Sequence, residues 1–212
     1  MVATAALGAG VVVACQSSGE RAYEPPRTRV VQPGAPGQSG RTLSPDELRK
    51  LSPPGYNAAD TRFMQRMIHH HAQALQMTGL VQDRAQSRDL PLLAGRIEAS
   101  QRDEITRMEQ WLKERGTDVP NSHTDHAMHG EPMPGMLTPE QLTQLQQARG
   151  VDFDRLFLRL MVQHHEGALV MVRELYATGG GLEPAADRFA REVEADQEIE
   201  IRRMGELLAK LG

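Results

Sequence analysis

From residue 58 onward, apolar residues recur at helical spacing in four long runs separated by short polar breaks. In the first run Phe63, Met67, His70, Ala74 and Met77 are alternately four and three residues apart, which lines them up as one stripe along a helix. Ile97, Gln101, Glu104 with Ile105, Met108, and Trp111 with Leu112 keep the same rhythm in the second run. The pattern predicts long helices over 58–85, 90–115, 152–178 and 184–211, with Gly116 and Gly179 as stops. Two shorter helices are announced by capping boxes at Ser44-Pro45-Asp46-Glu47 and Thr138-Pro139-Glu140-Gln141. Alternation of strand type is absent from these runs, so the expected fold class is all-α.

The second half of the chain echoes the first. Offset by 94 residues, 43–77 and 137–171 share 12 of 35 positions, where chance on average composition gives roughly two. The identities include Asp60 with Asp154, Phe63 with Phe157, Met67 with Met161, His70 with His164 and His71 with His165. Offset by 96, Gln101 pairs with Gln197, Glu104 with Glu200 and Met108 with Met204, the extra residues falling near Gly179-Gly180-Gly181. The expectation is an internal duplication, copy one at 43–116, a connecting loop at 117–136 and copy two at 137–212. One helical hairpin cannot bury both faces of its helices. Two copies therefore predict an up-down-up-down four-helix bundle with a short capped helix before each hairpin.

Seam positions ordinarily hold Leu or Ile, yet His70 and His164 occupy them here, with Gln101, Glu104, Gln197 and Glu200 on or beside the partner seams. A buried polar group without a partner costs about 1 to 3 kcal/mol, so something must satisfy them. Counted from the first hairpin turn, His70 and Glu104 both lie roughly 21 to 24 Å down their helices, and His164 and Glu200 repeat this in the second copy. Adjacent histidines diverge by about 100° around a helix. His70 and His164 are therefore expected along the axis, and His71 and His165 toward grooves between helices. Met67 with Met108, and Met161 with Met204, fall about one turn further on, so the pairing predicts a Met layer beside the His and carboxylate layer. Imidazole, carboxylate and thioether together suit copper, since thioether favours Cu(I), while imidazole also accommodates zinc or iron. The competing reading is a His-Glu hydrogen-bond network that only fixes helix register. Asp60 and Asp154 read more plainly, as first-turn charges favoured by the helix dipole.

Composition sharpens this picture. Aromatics make up only 4% of the 212 residues, whereas the chain has 11 Met, 8 His and a single Cys. A net charge of −4 gives no basic field, which disfavours nucleic acid as a partner. Residues 1–14 carry no charge and end in a small apolar run, Val12-Val13-Ala14-Cys15, of secretory rather than membrane-spanning length. This ending resembles the lipobox of bacterial lipoproteins, which implies a signal peptide at 1–14 and a lipid anchor at Cys15. Residues 15–42, rich in Ser, Gly, Pro and Arg, read as a flexible, disordered tether. Between the copies, His123, His126, His129, Met128, Met133 and Met136 crowd one loop and read equally as a soft-ligand segment or a solvated linker.

The doubled motif Asp60-x-x-Phe63-x-x-x-Met67-Ile68-x-His70-His71-x-x-Ala74-x-x-Met77 and Phe153-Asp154-x-x-Phe157-x-x-x-Met161-Val162-x-His164-His165-Glu166-Gly167-Ala168 resembles the domain-of-unknown-function family 305. The resemblance covers roughly 43–211. It implies a ferritin-like bundle in a secreted bacterial protein, of a family some of whose members are associated with copper. The paired Glu-x-x-His motifs of di-iron ferritin-like enzymes are absent, which argues against an oxygen-activating di-iron centre.

The resulting expectation is an envelope-anchored protein outside the cytoplasmic membrane that buffers or sequesters a metal ion, copper first, without turnover. His70, His71, His164, His165, Glu104, Glu200, Met67, Met108, Met161 and Met204 form its candidate site. A metal-dependent enzyme using the same His-Glu cluster and a purely structural or partner-binding bundle are the alternatives, and a homo-oligomer is left open. Nucleophile elbows and phosphate-cradling glycine loops are missing, which leaves hydrolase and nucleotide-binding readings without residues.

Overall fold

The computed structural model describes residues 30–32, 37–50, 54–120 and 133–211. The expected signal peptide at 1–14, the expected lipid anchor at Cys15, most of the expected tether at 15–42, and His123, His126, Met128 and His129 lie outside the described residues. The chain divides into two units, Met1–Ser52 and Pro53–Gly212.

In the first unit, β1 (Val31–Gln32) pairs antiparallel with β2 (Arg41–Thr42), Val31 opposite Thr42, and α1 (Pro45–Lys50) follows. Both strands are exposed, so there is no buried face for the sequence to record as alternation. The capping box at α1 is formed: Ser44 N donates to Glu47 Oε2 at 2.9 Å and Glu47 N donates back to Ser44 Oγ at 3.2 Å.

The second unit is helical: α2 (Ala58–Thr78), α3 (Val81–Arg84), α4 (Leu90–Glu114), α5 (Pro139–Gln147), α6 (Gly150–Ala177) and α7 (Pro184–Lys210). The first predicted helix is shorter than its periodicity implies. It stops at Thr78, and Leu80 and Val81 then turn into the core, with α3 as a separate turn. Asn57 begins α2 with a further capping box, its side chain accepting from Ala59 N and Asp60 N while Asp60 accepts from Asn57 N. Gly116 and Gly179 end α4 and α6 with φ of 63° and 81°, backbone that favours glycine.

α2 packs along α4, α6 along α7, and the two pairs meet chiefly through α2 and α6. The apolar core is split in two. One cluster joins Phe63, Met64, Met67 and Ile68 with Met108, Trp111, Leu112, Ala168, Met171, Leu175, Phe189 and Val193. The other joins Ala74, Met77, Leu90 and Ile97 with Phe153, Phe157, Met161, Met204 and Leu207. The first half of α2 thus shares a cluster with the last half of α6, so these helices run antiparallel. Between the clusters, in sequence on every long helix, stand the buried polar residues: His69 to His71, Gln101 with Glu104, His164 with His165, and Gln197 with Glu200.

Asp60 and Asp154 do more than charge a helix start. Asp60 Oδ1 accepts from Gly181 N at 2.6 Å, in the connection between α6 and α7. Asp154 accepts from Ser87 N at 2.7 Å and Gln86 N at 3.1 Å, in the connection before α4. Each hairpin therefore holds the turn of the other through a buried carboxylate, and such charge-assisted bonds are the stronger kind. Among the described residues no helix is long and apolar enough to cross a membrane.

Candidate metal centre

The polar layer is set by one heptad-like register: the stripe that buries Phe63 and Met67 on α2 buries His70 next, and α6 repeats this with Phe157, Met161 and His164. All four of His70, His71, His164 and His165 are fully buried. The rings of His70 and His164 meet where α2 faces α6, with centroids 3.8 Å apart and planes 36° apart. Their sequence neighbours turn outward to α4 and α7. His71 Nε2 donates to Glu104 Oε2 at 2.5 Å, and His165 Nε2 donates to Glu200 Oε2 at 2.7 Å. The axial and groove-facing positions expected for the two histidine pairs are the ones occupied.

Burial dominates the electrostatics. It pushes the His70 imidazole down to about 3, helped by the neighbouring His71 and opposed by the hydrogen bond to the Pro134 carbonyl. His164 is held well below the ordinary histidine value by the same desolvation, with His70 adding to it. Both rings are neutral at pH 7, the form in which imidazole ligates a metal.

Several buried atoms in the layer have no hydrogen-bond partner among the described residues: Nδ1 of His70, His71 and His165, both ring nitrogens of His164, Glu104 Oε1, and both amide atoms of Gln101 and of Gln197. Orphans at this density are costly in a core, at about 1 to 3 kcal/mol each, and point to a further species that the layer satisfies. Where a ring nitrogen does have a partner, that partner is an oxygen that accepts. A histidine that gives one N–H to a carboxylate or carbonyl and turns its other nitrogen inward has the second-shell arrangement of metal-binding imidazoles. Imidazole nitrogen and carboxylate oxygen are donor types that metal ions take. Among the described residues no group of three or more His, Cys, Asp or Glu is set to hold a metal ion, and the His70 and His164 rings meet within the layer.

The methionines divide between the two sides. Met67 and Met108 are buried in one apolar cluster and Met161 and Met204 in the other, so they border the layer from opposite ends rather than forming one stratum. Antiparallel α2 and α6 reverse the order of residues along the core, which places Met67 and Met161 on opposite sides. Met133 and Met136 are half-buried at the two ends of a turn. Sequence reasoning missed what that turn does: Pro134 O accepts from His70 Nε2 at 3.0 Å, and Gln73 binds both backbone groups of Leu137. A Pro-Gly pair signals a turn but says nothing of where the turn docks.

Comparison with known proteins follows this geometry. No curated protein matches the chain. Among solved structures, a DUF305 protein of Streptomyces coelicolor, described as secreted, is 31% identical with a TM-score of 0.63, covering 73% of this chain and 94% of its own. A DUF305 fragment from Deinococcus radiodurans is 30% identical with a TM-score of 0.64, covering 74% and 99%. CopM, solved in a Cu(II)-bound form, is 25% identical with a TM-score of 0.58, covering 72% and 97%. The family described as Domain of unknown function (DUF305) matches residues 60–208. Over that span, which contains every residue of the polar layer, this chain belongs to the DUF305 family.

Proposed function

We propose that this protein binds copper in its buried histidine layer and serves to sequester or buffer the ion at the cell envelope. His70 and His164 hold the ion, His71 and His165 stand beside them with Glu104 and Glu200 as their carboxylate partners, and the thioethers of Met67, Met108, Met161 and Met204 border the layer as soft donors. The observation that carries this reading is the close, tilted His70–His164 ring pair, neutral and buried, with His70 Nδ1 left without a hydrogen-bond partner among the described residues. Few, neutral, soft donors in a desolvated site suit Cu(I) better than a closed tetrahedral zinc site or an oxygen-lined site. CopM supports the choice, having been solved with Cu(II), with Cu(I) and with silver at 25% to 26% identity.

In the same reading the four long helices form a ferritin-like up-down-up-down bundle that arose by internal duplication. Residues 1–14 are a signal peptide, Cys15 carries the lipid anchor outside the cytoplasmic membrane, and the loop histidines and methionines at 123–136 capture metal on its way to the core. Secretion agrees with the description of the Streptomyces relative.

The test is a Cu(I) titration against a competing chelator, for the wild type and for His70→Ala with His164→Ala. Tight binding by the wild type and a loss of about 100-fold or more in the variant, the order expected when ligands are removed, bears the reading out. Equal, negligible affinity in both proteins overturns it.

A further inference from the structure

His70 and His164 occupy equivalent places in the two halves, but only His70 is bonded to the Met133–Met136 turn. Met133-Pro134-Gly135-Met136 forms a turn closed by Met136 N donating to Met133 O at 3.3 Å, with Gly135 at φ 76°. Proline followed by a positive-φ glycine is the signature of a type II turn, in which the carbonyl between them takes no part in the turn's own hydrogen bond. That carbonyl, Pro134 O, is the one that accepts from His70 Nε2.

The turn can reach His70 because α6 has no side chain in its way. A Cβ on Gly167 would stand 2.1 Å from Pro134 O and 2.5 Å from Gly135 Cα, and one on Gly135 would stand 2.7 Å from both Gln163 O and Gly167 Cα. These are backbone atoms, so neither contact relaxes by a side-chain movement. At the matching position of α2, 94 residues earlier, stands Gln73, which grips the next residue of the same segment: Leu137 N donates to Gln73 Oε1 at 2.7 Å and Gln73 Nε2 donates to Leu137 O at 3.1 Å. The segment is thus seated between a notch on one helix and an amide on the other.

We infer that this seated turn fixes which nitrogen of His70 is offered to a metal ion, so that Gly167 and Gly135 are positioning residues for the site; the inference rests on the copper reading above. A carbonyl oxygen only accepts, so the ring nitrogen facing it carries the proton, and in a neutral imidazole the lone pair is then on Nδ1. His70 binds through Nδ1 alone. His164 has no corresponding bond to this turn. The two halves of a nearly symmetric site are made unequal by a turn that reaches only one of them.

The tautomer can be read in the metal-free protein by long-range nitrogen–proton NMR of 15N-histidine-labelled protein, with His70→Leu assigning the resonance. The wild type is expected to show His70 with its proton on Nε2. Gly167→Ala is expected to lose that preference and to bind Cu(I) about 10- to 100-fold more weakly, the usual effect of removing a partner that orients a ligand. Pro134→Ala, which keeps the carbonyl and Gly135, is expected to retain the wild-type tautomer. A wild-type His70 protonated on Nδ1 overturns the inference whether or not any variant folds, and so does a folded Gly167→Ala protein with unchanged tautomer and affinity. The expected tautomer in a protein that binds no copper defeats the copper reading while supporting control of the tautomer by the turn.

Discussion

His70 and His164, 94 residues apart in the chain, lie with ring centroids 3.8 Å apart in the middle of the helical unit, where a core of this size would ordinarily place Leu or Ile. Both rings are desolvated and neutral, and the amides of Gln101 and Gln197 lie in the same layer without partners among the described residues. The layer is therefore a liability to folding unless it serves a ligand, and this cost can be measured.

Gln101→Leu with Gln197→Leu removes four such buried polar atoms. The metal-free variant is expected to be more stable than the wild type by about 1 to 3 kcal/mol, since apolar groups of similar shape replace unsatisfied ones. Urea unfolding followed through Trp111, the sole tryptophan and a buried one, gives the comparison. A destabilised variant would mean that these amides have partners in solution that matter to the fold.

Acid is expected to unfold the metal-free protein earlier than its carboxylates alone require. His70 titrates near 3 when folded because burial lowers it from about 6.5, so between these values the unfolded chain binds the extra proton. Stability is then fully present above pH 6.5 and is lost as pH falls toward 3. His164 shifts in the same direction for the same reason. Unfolding free energies measured from pH 7 to pH 4 should fall less steeply in His70→Leu with His164→Leu than in the wild type. Parallel curves would contradict the burial of neutral rings.

Asp60→Ala and Asp154→Ala each strand backbone N–H groups of the opposite hairpin's turn, Gly181 in one case and Gln86 with Ser87 in the other. Each is expected to cost about 1 to 3 kcal/mol, with the two losses roughly additive because the carboxylates share no partner. Thermal unfolding measures the loss, and faster hydrogen exchange at Gly181 and Ser87 locates it. Unchanged exchange at both amides would refute the cross-hairpin role.

Much of this was legible before the fold was known. A strict four-three spacing wrote the helices, and the repeated His-His with matched Glu wrote the polar layer, because helical rise converts sequence distance into height. Periodicity carries no information on which residue lies opposite. Asp60 and Asp154 therefore read as simple first-turn charges, and the four methionines read as one layer, although antiparallel packing of α2 on α6 sends Met67 and Met161 to separate clusters. The notch at Gly167 was equally hidden, since a glycine inside a helix shows its purpose only when the Pro134–Gly135 turn is seen lying on it. The ribbon of Val31–Gln32 and Arg41–Thr42 left no trace because neither strand buries a face.

The bordering thioethers offer a test of softness. Met67→Leu with Met161→Leu conserves volume and is expected to change stability by less than about 1.5 kcal/mol. If those sulfurs act as donors, affinity for Cu(I) and Ag(I) falls while affinity for Zn(II) does not, because thioether selects the soft ions. Equal affinities of variant and wild type for all three ions would assign Met67 and Met161 to packing alone.

Copper X-ray absorption on the Cu(I)-loaded protein reads the ligands of the ion itself, because imidazole nitrogen gives a characteristic scattering pattern that sulfur and carboxylate do not. Imidazole ligation is expected in the wild type and is expected to disappear, together with the bound copper, in His70→Ala with His164→Ala. The same imidazole pattern and the same copper content in that variant would show that the ion lies elsewhere and would contradict a site built on His70 and His164.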